Sequence, residues 1–175
     1  MLAYLFVLLA VAVRFMPHPW MFTPVVGSLL FFGAYKSRRQ LWIPVVLFAA
    51  SDVILTKYFY GFPTRWDSLV TWAWYGAILW IGTGLGGNIK WPRVIGAALA
   101  SSVSFFLISN FTTWACWNLY PKTLGGLEAA YVAGLPFFRH ALEGDLLFTV
   151  AMFATPLALH ALSGAGREGD HAAAA

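Results

Sequence analysis

Residues 93–116 read RVIGAALASSVSFFLISNFTTWAC, and after Arg93 this run carries no acidic or basic side chain. A helix needs about 20 mostly apolar residues to cross the hydrocarbon core of a bilayer, and there it satisfies its own backbone hydrogen bonds. The run is long enough to span. Its first half repeats small residues at a spacing of four, through Gly96/Ala100, Ala97/Ser101 and Ala98/Ser102. Such rows let a second helix approach closely. Its far end is polar and aromatic, with Asn110, Thr112, Thr113 and Trp114.

Working outward, similar runs occupy residues 2–15, 22–36, 41–60, 68–87 and 145–162, separated by Pro, Gly or charged breaks. The composition agrees: 60% of the 175 residues are hydrophobic and 10% are charged, with a mean hydropathy of +0.71. An average soluble domain is about 45–50% apolar and about 25% charged. The predicted fold is an all-α integral membrane protein, a compact bundle of about six transmembrane helices. One domain, 1–163, makes the bundle, and 164–175 is expected to be a disordered tail. Between the last two spans, 117–144 contains Pro121, Gly125-Gly126 and Pro136. Its apolar stretch is too short to cross, so it is expected to form a surface or re-entrant helix.

The formal charge of +4 does not indicate nucleic acid, because the basic residues are scattered through the links between apolar runs. They read as topology signals. Lys36, Arg38 and Arg39 cluster in the second link, and Lys90 and Arg93 lie in the fourth, so both links belong on one side, the cytoplasmic one. Both termini are then expected inside, in a bacterial cytoplasmic membrane. Arg14, Lys57, Arg65, Lys122 and Arg139 fall on the outer side, where the longer connections also emerge.

Several residues stand out for chemistry. Asp52 sits well inside the third run, and a carboxylate there is expected to face the bundle and to have a partner; it is either a helix-packing residue bonded to a neighbour such as Ser51 or Asn110 or a functional group. His18, between Pro17 and Pro19, is either a solvated loop histidine or a ligand. Asn110 is either helix glue or the floor of a cavity. Asp145 is either the cap of the sixth helix or, with Arg139 and His140, a rim group around a bound polar solute. Cys116 is either an inert packing residue or a soft-metal thiolate. As the only cysteine, it excludes an intrachain disulfide. The chain lacks G-x-S-x-G, H-E-x-x-H and P-loop motifs. No enzymatic activity, cofactor or metal is expected, and any ATP-driven step needs another subunit.

The outer connections combine stiff proline turns, aromatics and a few polar groups, the mixture expected of a pocket for a ring-bearing solute. The predicted substrate-binding residues are His18, Asn110, Trp114, Tyr120, Tyr131, Arg139 and Asp145, converging on one outward-opening cavity.

The segments Arg14-Phe15-Met16-Pro17-His18-Pro19, Phe22-Thr23-Pro24, Ser51-Asp52, Tyr120-Pro121-Lys122-Thr123-Leu124-Gly125-Gly126-Leu127, Leu135-Pro136-Phe137-Phe138-Arg139 and Gly144-Asp145-Leu146, with Asn110, carry a resemblance. Together they resemble an uncharacterised family of small bacterial six-helix membrane proteins. That family is similar to the substrate-binding S components of energy-coupling factor (ECF) vitamin transporters and to solitary cobalamin transporters. The resemblance implies an S-component-like bundle and a vitamin-sized ligand held among outer loops and helix ends. A further partner would be an energising membrane subunit with its ATPases. The first span holds Ala3, Ala10 and Ala12 rather than the Ala-x-x-x-Ala by which many S components dock. The cobalamin transporters ligate cobalt through a cysteine, for which Cys116, as the only cysteine, is the one candidate here. The expected function is thus a substrate-binding membrane subunit or solitary transporter for a vitamin or similar small organic solute. The alternative is a membrane scaffold or assembly factor that binds a partner protein.

Overall fold

The computed structural model describes residues 1–16, 22–63, 65–87 and 89–173, with side chains described up to residue 163. Six α-helices follow one another: α1 Leu2–Val13, α2 Val25–Tyr35, α3 Trp42–Ile54, α4 Ser68–Thr83, α5 Trp91–Cys116 and α6 Leu124–Ala173. A short 3-10 turn, Arg38–Gln40, leads into α3, and a π-helical turn, Leu55–Phe59, extends it. The fold is that of an all-helical membrane protein. Among the described residues three stretches are long and apolar enough to cross a membrane: Arg38–Phe59, Trp91–Cys116 and Leu124–Ser163. By contrast α1 and α2 are short apolar helices of 12 and 11 residues, as their short sequence runs foretold.

The shortest helix is the hub. Every residue of α2 from Val25 to Gly33 is buried, and α1, α4, α5 and α6 all pack on it. Its phenylalanines meet aromatic side chains from two helices. Phe31 stands 4.9 Å from Phe6 of α1 and 5.3 Å from Phe153 of α6, and Phe32 stands 5.2 Å from Tyr4 of α1. Between α2 and α4 the backbones touch. A Cβ added to Gly82 would lie 2.5 Å from the Leu30 carbonyl oxygen, and one added to Gly33 would run into the Leu79 carbonyl.

Helix α5 shows the inside-out pattern of a bilayer-solvated helix. Ile95, Leu99, Val103, Leu107 and Phe111 form an exposed stripe at a spacing of four. Ala97, Ala98, Ser101 and Ser102 are buried. In water the large apolar side would face inward. In lipid the small side does, because close backbone approach replaces the hydrophobic drive between helices. The rows Ala97/Ser101 and Ala98/Ser102 therefore pack, while Gly96 and Ala100 are exposed.

One expected boundary is absent. No separate surface helix occupies 117–144, and the sixth helix does not begin at 145; α6 runs unbroken from Leu124 through Pro136 and Pro156 and across most of the expected tail. Its Leu124–Ser163 part, 40 residues, is about 60 Å long, twice the hydrocarbon thickness of about 30 Å. Each proline removes one donor from the helix ladder, and neighbouring helices make this tolerable in a membrane bundle. The glycines that read as breaks are contact points. Gly134 lies against the Asn110 amide of α5, and Gly144 against Phe22 and Thr23 before α2.

Candidate functional site

Helix α4 is a wall with two working faces. One face, through Trp72 and Tyr75 at a spacing of three, turns toward Asp52 of α3. The Trp72 indole donates to Asp52 Oδ2 at 3.0 Å, and the Tyr75 hydroxyl donates to the same oxygen at 3.1 Å. Arg14, just past α1, donates one guanidinium nitrogen to Asp52 Oδ1 and the other to Ser51 Oγ at 2.7 Å. Ser51 in turn donates to the Phe48 carbonyl at 2.8 Å. The carboxylate thus receives charge from the end of α1 and two hydrogen bonds from α4, which offsets the cost of burying it. Asp52 faces the bundle as expected, but its partners are Arg14, Trp72 and Tyr75 rather than Ser51 or Asn110. A one-dimensional reading assigned Arg14 to an outer loop because it ends an apolar run; the turn of chain after α1 folds it back onto α3.

The other face of α4 lines a cleft against α5. This cleft, of about 160 Å³, is walled by Asp67, Ser68 and Thr71 from α4 and its entry, and by Ser109, Thr112 and Thr113 from α5. Trp74 and Phe105, with ring centroids 4.5 Å apart, close its deep end, and the Trp74 indole donates to Ser104 at 3.1 Å. Val70, Ile108 and Thr112 also border a second hollow of about 530 Å³, which runs round α5 past Trp66, Phe111 and Cys116 to Tyr131 of α6. A polar cleft thereby adjoins an open apolar groove, which shares Leu107 and Phe111 with the exposed stripe of α5.

The rim of this pair is braced. Trp117 donates its indole N–H to Asp67 Oδ2 at 2.7 Å, and the Arg65 guanidinium lies 4.7 Å from the Trp117 ring centroid. Arg65 also donates to the Cys116 carbonyl at 3.3 Å. Asp67 Oδ1 has no hydrogen-bond partner among the described residues and faces Arg65 Nε at 3.9 Å.

The seven predicted residues fall in several places. Tyr131 borders the larger hollow, with its hydroxyl donating to the Leu107 carbonyl at 3.0 Å. Asn110 turns away from the cleft toward α6 and donates to Phe106. Trp114 donates to the Pro121 carbonyl at 2.9 Å and receives Lys122 against its ring and carbonyl. Tyr120 is half-buried in the link before α6. Arg139 is exposed and pairs with Glu143 at 3.0 Å. Asp145 is neither a helix cap nor a rim group: it lies inside α6, 6% exposed, and accepts a hydrogen bond from Ser102 at 2.6 Å. From Tyr131 to Asp145 the chain climbs roughly 20 Å of helix, so these two are at different heights of the α5–α6 seam. His18 lies outside the described residues.

Asp67, Ser68, Thr71 and Ser109 went unremarked in the sequence, although Asp-Ser before an apolar run marks a helix start and Thr112 and Thr113 had signalled a polar end to the fifth span. Among the described residues no group of three or more His, Cys, Asp and Glu side chains is placed to hold a metal ion.

Over residues 1–164 the chain matches the model of a family described as a family of unknown function (DUF6580). The chain belongs to that family. No curated protein and no solved structure matches it.

Proposed function

We propose that this family member is a substrate-binding membrane subunit or solitary transporter that takes up a vitamin or similar small organic solute. Its place is the bacterial cytoplasmic membrane, with both termini inside, and it performs no chemistry of its own. The observation that carries this reading is the junction of the hydroxyl-lined cleft with the apolar groove across Val70, Ile108 and Thr112. A site that grades from hydroxyls and a carboxylate into Trp66, Phe111 and Tyr131 suits a ligand with a polar head and an apolar ring. Val70 puts α4 beside both hollows, and α4 is tied on its other face to α1 and α3 through Asp52, so a shift of α4 on solute binding would reach half of the bundle. Energy for uptake comes from a partner subunit or from the solute gradient, since the sequence holds no P-loop.

Native mass spectrometry of gently purified protein tests the proposal. The wild type should retain a solute that is not a phospholipid, and Thr112→Trp, which fills the space common to both hollows, should lose it while unfolding at an unchanged temperature. Protein carrying lipid alone, in both forms, would overturn the reading and favour a scaffold that binds a partner protein.

A further inference from the structure

The basic side chains divide sharply by what they meet. Arg14 pairs with Asp52, Arg65 with Asp67 and Arg139 with Glu143. Lys57 and Lys122 are in no ion pair among the described residues, and neither are five more cations that stand together at two links: Lys36, Arg38 and Arg39 in the α2–α3 link, and Lys90 and Arg93 where α5 begins. The chain offers these five no local acid, because residues 1–51 and 68–127 contain neither Asp nor Glu.

The two links share one end of the bundle. The Arg38 guanidinium lies 4.8 Å from the ring centroid of Trp80, near the end of α4. A Cβ on Gly86, just beyond α4, would stand 2.9 Å from the Ala34 carbonyl oxygen of α2. Lys36 reaches over Tyr4 of α1 at 4.6 Å. Trp42, Trp80 and Trp91 are exposed at the same end. Two helices long enough to cross a membrane begin here, and Arg38, Arg39 and Arg93 lie in or beside their first turns. Exposed tryptophans at such helix ends belong at the headgroup level of a bilayer, where lipid phosphates are the available anions.

We propose that this end of the bundle binds the headgroups of anionic phospholipids, with the cations of the two links on the phosphates and the tryptophans beside them. Interleaved tryptophans favour lipid over an acidic protein surface, which would leave them in water. The inference does not depend on the transport reading: it concerns a different end and different residues.

The test is lipid retention. Protein reconstituted in nanodiscs of equal parts phosphatidylglycerol and phosphatidylcholine is released and its bound lipids are counted by native mass spectrometry. The wild type should retain phosphatidylglycerol in preference. Changing Arg39 and Lys90 to Gln should lower that preference about fivefold per cation removed. Lys57→Gln, outside the two links, should leave it unchanged. Both altered residues are exposed, and an unchanged unfolding temperature in phosphatidylcholine alone shows that the variant is folded. Equal retention of both lipids by the wild type would overturn the proposal. So would an undiminished preference in the double variant, or an equal loss from Lys57→Gln.

Discussion

Arg14 and Asp52, 38 positions apart, form an ion pair with side-chain exposures of 16% and 18%, joining the end of α1 to the last turn of α3. Removing one partner of such a pair leaves the other charged and largely shielded from water, which costs about 3–5 kcal/mol. Arg14→Met should therefore lower the unfolding temperature in detergent markedly, and Asp52→Leu should do likewise. Asp52→Asn should do less harm, because the amide oxygen still accepts from Trp72 and Tyr75. The double variant Arg14→Met with Asp52→Leu should recover most of the loss. If the double variant is no more stable than either single one, the pair is not the source of the effect.

The α2–α4 contact makes a second prediction. Gly33→Ala and Gly82→Ala each drive a methyl group into a backbone carbonyl of the facing helix, where no side chain can rotate away. Overpacking of this kind costs about 1–3 kcal/mol. Gly96→Ala, with nothing within 4 Å of the new carbon, should be neutral or mildly stabilising, since alanine is the better helix former by roughly 1 kcal/mol. Unfolding midpoints of the three variants decide the matter; equal stabilities would mean that the two helices do not meet as described.

Ser102 and Asp145 form a buried polar contact of the α5–α6 seam. Ser102→Ala leaves a buried carboxyl without its hydroxyl donor, a loss of about 1–3 kcal/mol. Ser101→Ala, one position away, should cost little, because Ser101 Oγ is buried with no partner among the described residues. The contrast between these neighbours, read by thermal unfolding, isolates the hydrogen bond from the removal of a hydroxyl as such. Equal losses would place the effect in packing.

The candidate site was only partly readable in one dimension. Tyr131 stands out in the sequence and borders a hollow, and Thr112 and Thr113 mark a polar helix end. Asn110 and Arg139 were equally visible as polar groups in an apolar chain. Their spacing held no statement of direction, and the fold turns Asn110 onto Gly134 and gives Arg139 an exposed partner one turn away in Glu143. Asp145 was misplaced for a related reason. Gly-Asp before an apolar run is a common way to start a helix. Gly144 is instead the flat surface against which Phe22 packs, and the helix passes straight through.

The sequence by itself determined that the chain is helical and bilayer-solvated, and roughly where five of the six helices lie. Those properties are local: a long uncharged run can satisfy its backbone in lipid only by coiling. Tertiary structure alone decided that Arg14 meets Asp52, that α2 is the buried hub, that α6 runs through two prolines, and that the cleft opens between α4 and α5. The reason lies in the solvent. In water an apolar stripe tells which side of a helix faces inward. In a bilayer the lipid and the bundle interior are both apolar, so that stripe vanishes, and the inward side is chosen by small residues, glycine contacts and a few polar pairs between distant parts of the chain.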